Sequence, residues 1–227
     1  MGGIISNEGV NMDKKLMLDL FAGTHSWEIP FLNDKTWNVV SLDIDPLTKS
    51  TITEDILKWD YKNDKNMFKT PDLIVASPDC SRYFTKLKNW TGHTKYTEDD
   101  YIFSIAQVEV LKNILDYFKP KYWIIENPVG RMPIIYPFIN HIHYNKISYC
   151  RYGFDYRKDT AIWTNIPLDF LICNHKTHKI ISLRNLPKEL HLNTVKDRQN
   201  YRYRIPPLFT QMVYEKVNNL LKEIKVW

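Results

Sequence analysis

From residue 16 onward the chain alternates short apolar, β-rich runs with longer stretches in which apolar residues return every three or four positions. The first pattern suits strands buried on both faces of a parallel sheet, and the second suits helices laid across it. The pattern predicts strands at 16–21, 38–42, 72–76, 122–126, 146–149 and 161–164. The clearest helix spans 99–118. Its stripe is Ile102, Ile105, Val108, Leu111, Ile114, Leu115 and Phe118, and Pro120 stops it. A second amphipathic helix begins at Pro206 or Pro207, where the missing N–H costs nothing, and runs to 224. Strands alternating with helices predict a doubly wound α/β domain with a mostly parallel sheet.

In open sheets of this kind ligands bind beyond the carboxyl ends of the strands, so the residues just past each predicted strand are the candidates for chemistry. Asp19-Leu20-Phe21-Ala22-Gly23-Thr24 places a glycine where the first strand turns into a helix, the spot where backbone approaches a nucleotide-like ligand. About twenty residues on, Asp43 and Ile44 end the second strand, where a carboxylate accepts from ribose hydroxyls. Asp55 and Ile56 add a third carboxylate, suited to an adenine amino group. Ser77-Pro78-Asp79-Cys80 puts a thiol on the same rim, and Glu126-Asn127-Pro128 puts a carboxyl group at the end of the neighbouring strand. A thiolate beside a proton-donating carboxyl is equipped for nucleophilic attack.

Composition bounds this reading. The 227 residues are 44% hydrophobic and 25% charged, enough for one buried core. No run approaches the roughly 18 apolar residues of a membrane span, and no secretory signal opens the chain, so a soluble protein of the cytoplasm, or of the nucleus in a eukaryotic host, is expected. Three cysteines at irregular spacing make no disulfide framework. A net charge of +5 permits a polyanionic partner. Met1-Gly2-Gly3-Ile4-Ile5-Ser6 fits an acylation pattern at Gly2, but a polar tail is the preferred reading.

Taken in order, these motifs resemble the DNA cytosine-C5 methyltransferases, including compact phage-type and viral members. The likeness covers most of 16–164. It implies a Rossmann-like fold of the S-adenosylmethionine-dependent methyltransferase type. Phe21, Ala22, Gly23, Thr24, Asp43, Ile44, Asp55, Ile56, Ser77 and Pro78 would hold S-adenosylmethionine, Cys80 would attack C6 of a flipped cytosine, Glu126 would act at N3, and Asn127 would hold loop geometry. The implied organisation is a tail over 1–14, a catalytic domain over 15–164, a small variable, target-recognition segment over 165–200, and a C-terminal helix over 201–227 packing back on the domain.

Departures accompany the likeness. Asp79 stands where the family has proline before the nucleophile, and His25 stands where a second glycine is common. Asp159 and Ala161 occupy the two usual arginine places, which leaves Arg157 and Lys158 to supply positive charge. Arg202 and Arg204, interleaved with Tyr201 and Tyr203, are further candidates for nucleic-acid contact. Cys173, His175 and His178, with Cys150, fit no established finger spacing, so no metal is expected. DNA is the expected partner. RNA of the tRNA kind, or a catalytically impaired cofactor-binding subunit that binds nucleic acid or a protein partner, are the alternatives. A protein partner could also supply the specificity that so short a recognition segment lacks. Restriction-modification, regulation and viral genome marking all remain open as roles.

Overall fold

A computed structural model describes residues 13–82, 96–132, 144–173 and 201–223. Seven strands form one sheet: β1 (Lys15–Leu20), β2 (Trp37–Asp43), β3 (Ile52–Thr53), β4 (Leu73–Ala76), β5 (Tyr122–Pro128), β6 (Tyr144–Ser148) and β7 (Asp159–Thr164). Their order is β3-β2-β1-β4-β5-β7-β6. From β3 to β5 every pairing is parallel, whereas β7 runs antiparallel to both β5 and β6. The reversal has a local cause. Parallel neighbours need a long crossover, but β6 returns to β7 through a 3-10 turn, Tyr149–Tyr152, closed by Gly153 at φ +94°.

Alternation along the strands divides the core. Leu16, Leu18, Leu20, Ile74, Ala76 and Ile125 face helix α2 (Glu98–Phe118) and its Val108, Leu111, Ile114 and Phe118. Met17, Leu73, Val75, Ile124 and Ile162 face the opposite layer, made by α1 (Ile29–Leu32) and α3 (Pro207–Glu223) through Phe31, Phe209, Val213, Val217 and Leu221. Helices therefore cover both faces. A capping box starts α2: Asp100 N–H donates to Thr97 Oγ1 (3.1 Å) and Thr97 N–H donates to Asp100 Oδ2 (3.0 Å). On α3, Asn218 Oδ1 accepts from Trp37 Nε1 (3.0 Å) and from Lys15 Nζ, seating the helix on the first two strands.

The sequence pattern misplaces some boundaries. Phe21 lies past β1, in the left-handed region, and Tyr149 lies in the 3-10 turn rather than at the end of a strand. Ile102 points to solvent, although its spacing matches the buried stripe. The two-residue β3 was not predicted, because so short a pairing leaves no period to read. No helix among the described residues is long and apolar enough to cross a membrane. Residues 1–12 and 174–200, which include most of the expected tail and variable segment with His175 and His178, lie outside the described residues.

Candidate active site

Where β1 ends, the chain takes left-handed conformations at Phe21 (φ +62°), Gly23 (φ +49°) and His25 (φ +56°). For residues with a Cβ this costs roughly 1 to 2 kcal/mol each, and such strain persists only where surrounding bonds enforce it. Here they do. Ala22 N–H donates to Leu42 O (3.1 Å) and Gly23 N–H to Asp43 Oδ2 (2.8 Å), which tie the loop to the end of β2. The other Asp43 oxygen accepts from Asp45 N–H (2.8 Å). Each carboxylate oxygen can accept twice, so both keep capacity for a ligand hydroxyl.

His25 fixes the loop from beneath. Its Nδ1 lies 2.6 Å from Glu28 Oε1 and its Nε2 lies 2.7 Å from the Thr48 carbonyl. Both partners are acceptors, so making both bonds requires the doubly protonated ring. The bond to Glu28 raises the His25 pKa against the opposing effect of burial. Under the loop, Asp19 is fully buried with neither oxygen hydrogen-bonded. Burial first, and the nearby Glu28 next, push its carboxyl well above the usual range.

The second half of the site gathers on β4 and β5. Asn127 Nδ2 donates to the Pro78 carbonyl (2.9 Å), locking the Cys80 loop to the strand that carries Glu126. Trp27 Nε1 donates to Ser77 Oγ (3.2 Å) from the other side. Asp79 Oδ1 caps the Ser81 N–H (2.8 Å), a local turn. Cys80 is half-buried and reduced.

Glu126 is 5% exposed, and its Oε1 accepts from the Tyr149 hydroxyl at 3.0 Å. Lys158 Nζ stands 3.6 Å from the same oxygen and 4.8 Å from the centre of the Tyr149 ring. Burial and the adjacent carboxylate push the Tyr149 hydroxyl well up, so it stays a donor.

One cavity of about 710 Å³ joins these parts. Phe21, Ala22, Gly23, Thr24, Asp43, Ile44, Asp55, Ile56, Ser77 and Pro78 all line it, as do Cys80, Glu126 and Lys158. Asn127 is buried behind the wall. Ile44 is 63% exposed there, an apolar face open to a flat ring, while Ile56 is buried. Asp55 Oδ1 accepts from Leu57 N–H (3.0 Å).

The expected nucleic-acid residues divide. Lys158 joins the cavity, but Arg157 turns outward, its Nη2 2.6 Å from Asp159 Oδ2. Despite partial burial, Asp159 is held below the ordinary carboxylate range by that guanidinium and the Ser148 hydroxyl. Arg202 and Arg204 are exposed and outside the cavity wall, whereas Tyr203 and Ile205 line it. Sequence reasoning missed Tyr149 and the Glu28–His25–Thr48 chain; Tyr203 was noted only as part of a basic and aromatic cluster, and not as a wall of this cavity. Among the described residues no group of three or more metal-ligand side chains converges.

A seven-stranded sheet with this order and an antiparallel seventh strand, with the cavity at its carboxyl edge, is the Rossmann-like fold of the methyltransferase type. A protein of Frog virus 3 (isolate Goorha), named "Probable DNA (cytosine-5)-methyltransferase", is 35% identical over 158 residues, covering 66% of this chain and 70% of that protein. The chain belongs to the DNA (cytosine-5)-methyltransferase family. No protein-family model matches it.

Among solved structures, it is similar to an E. coli prophage-encoded "putative DNA modification methyltransferase" (TM-score 0.49, 14% identity, 76% of this chain). This chain spans 54% of that one's length. An "antibiotic related Methyltransferase" aligns with a TM-score of 0.41 at 9% identity, over 67% of this chain and 88% of that one.

Proposed function

We propose that the chain transfers a methyl group from S-adenosylmethionine to C5 of cytosine in DNA, through a covalent bond between Cys80 and C6 of a flipped base. The observation that carries this is the shared cavity: Cys80, Glu126 and the Phe21–Thr24 part of the strained loop all line it. The cavity suits the cofactor. Asp43 keeps acceptor capacity for ribose hydroxyls, the exposed Ile44 offers a face to adenine, and the Gly23 region brings backbone close to the amino-acid portion. When bound, S-adenosylmethionine supplies the methyl group.

The chain's own residues do the rest. The Cys80 thiolate forms a bond to C6, and the electron pair displaced through the ring is accommodated at N3, where Glu126 donates a proton or hydrogen bond. Tyr149 and Lys158 stabilise the carboxylate negative charge that grows as Glu126 gives up its proton. Once C5 carries the methyl group, a solvent water takes the C5 proton, its electron pair re-forms the C5–C6 double bond as the C6–S bond breaks to return the thiolate, and Glu126 takes back the proton it gave to N3. Lys158 thus supplies positive charge at Glu126 although the two usual arginine places hold Asp159 and Ala161, and this contact favours an active enzyme over an impaired subunit. In this reading the exposed Arg202 and Arg204, and Arg157 once it exchanges its Asp159 partner, contact phosphates, which adds affinity without reading sequence. Extruding the base costs a few kcal/mol.

The test pairs transfer of labelled methyl with trapping on 5-fluorocytosine oligonucleotides, single- and double-stranded, with tRNA in parallel. Wild-type protein should methylate DNA and form an adduct stable to denaturation. Cys80→Ser should lose both, by about 10³-fold or more in rate, while binding the cofactor normally. Cofactor binding without any adduct would end this reading in favour of a non-catalytic subunit, and adducts on tRNA alone would move the substrate to RNA.

A further inference from the structure

Gln107 lies on the buried stripe of α2 with Val108 and Leu111, where the helix packs on the sheet. It is 5% exposed, it lines the cavity, and its Oε1 accepts no hydrogen bond. A buried amide oxygen without a partner is uncommon and destabilising, and an apolar side chain at this place would extend the stripe without that penalty. A carboxamide stranded in the wall of a ligand cavity therefore points to a ligand. Its own chemistry narrows the choice. It is a flat group with a carbonyl acceptor beside an amide donor, and rotation about the last torsion presents either end. Such a group pairs with a nucleobase edge that sets an amino group next to a ring nitrogen. Adenine and cytosine both have one.

The two layers of the core decide between them. Glu126, the residue for cytosine N3, is held by Tyr149, which packs in the layer of α1 and α3. Gln107 belongs to the opposite layer, where its neighbour Val108 shares a core cluster with Ile56, the residue after Asp55. In that corner Asp55 offers an acceptor for one N–H of the adenine 6-amino group. The Ile56 N–H donates to no group among the described residues and is a donor for N1. The other amino N–H and N7 are left over.

We propose that the Gln107 carboxamide reads this remaining adenine edge, accepting from the 6-amino group and donating to N7, and so makes the site selective for an adenosyl methyl donor. The inference rests on S-adenosylmethionine being the cofactor, and Cys80 does not enter it. Binding satisfies an amide that otherwise lacks a partner, so Gln107 favours the complex and disfavours the ligand-free fold.

The test is calorimetry with S-adenosylhomocysteine and with its 7-deaza analogue, in which C–H replaces N7, together with thermal melting without ligand. Wild type should bind the natural compound about tenfold more tightly than the analogue. Gln107→Leu should bind the natural compound about tenfold less tightly than wild type does, and should treat the two compounds alike within about twofold. Its ligand-free melting temperature should equal or exceed that of the wild type. Ser104→Ala, one turn earlier on the same stripe but outside the cavity wall, should keep the wild-type affinities. A wild type indifferent to N7, a Gln107→Leu protein that keeps the preference or melts well below wild type, or an equal loss in Ser104→Ala would overturn the inference and leave the cofactor reading standing. Wild-type protein that binds neither compound would remove the cofactor reading and this inference together.

Discussion

The two halves of the cavity are built by different means. Around Asp43 and Gly23 the sheet is parallel, and each functional side chain sits at the carboxyl end of its own strand, held mostly by neighbours close along the chain or by the adjacent strand end. Around Glu126 the sheet turns antiparallel, and the carboxyl group is held by Tyr149 and Lys158, which arrive from the two sides of the β6–β7 turn. The first half uses strained backbone and buried carboxyl groups to shape a loop. The second uses a buried phenol and an ammonium group to hold one carboxylate. Fixing a backbone can be encoded locally, whereas stabilising a charge in a low-dielectric site requires partners from wherever the fold can bring them.

Substitutions in the two halves should therefore separate chemistry from binding. The largest effect belongs to Glu126→Gln, which keeps a donor but cannot deliver a proton; kcat should drop by about 10² to 10⁴ with little change in cofactor affinity. An equal loss in cofactor affinity would erase the distinction between the halves. Asp43→Ala removes the acceptor for two backbone N–H groups, each worth about 1 to 3 kcal/mol. Calorimetry should show cofactor binding weakened about 10- to 100-fold, with adduct formation restored at saturating cofactor. Tyr149→Phe deletes one hydrogen bond to a charged group and should lower kcat about tenfold without raising KM for either substrate. Should KM rise instead, Tyr149 would be supporting the wall rather than the charge.

The smallest effect lies in the protonation of His25. Its pKa is raised, so its contribution to stability is complete below the unfolded value near 6.5 and fades as pH climbs through the folded value. Thermal melts of the wild type should lose less than about 1 kcal/mol over that interval, because the ring is partly exposed to solvent. His25→Asn, which tolerates the left-handed backbone, should flatten that slope. A slope unaltered by the substitution would place the titrating group elsewhere.

Much of the cofactor half was legible in the sequence. Apolar runs at 16–21, 38–42 and 72–76 ended at Gly23, Asp43 and Ser77, and the strand-end rule put those residues on one rim, where the structure has them. Lys158 was legible only as one of two nearby cations. Its neighbour Arg157 is drawn away by Asp159, a pairing that depends on side-chain direction rather than on spacing. Tyr149 carried no signal at all, since an aromatic residue at the end of an apolar run reads as core, and it is core apart from its hydroxyl.

The sequence by itself determined the alternation of strands and helices, the two faces of the core, and which residues crown the parallel strands, because period and punctuation are local properties of a chain. Only the tertiary structure decided that β7 would run backward, that Tyr149 and Lys158 would meet on Glu126, and that the sulfurs of Cys150 and Cys173 would come within 3.5 Å. Those contacts join residues whose separation obeys no period; they are set by the reversal of the chain at one turn.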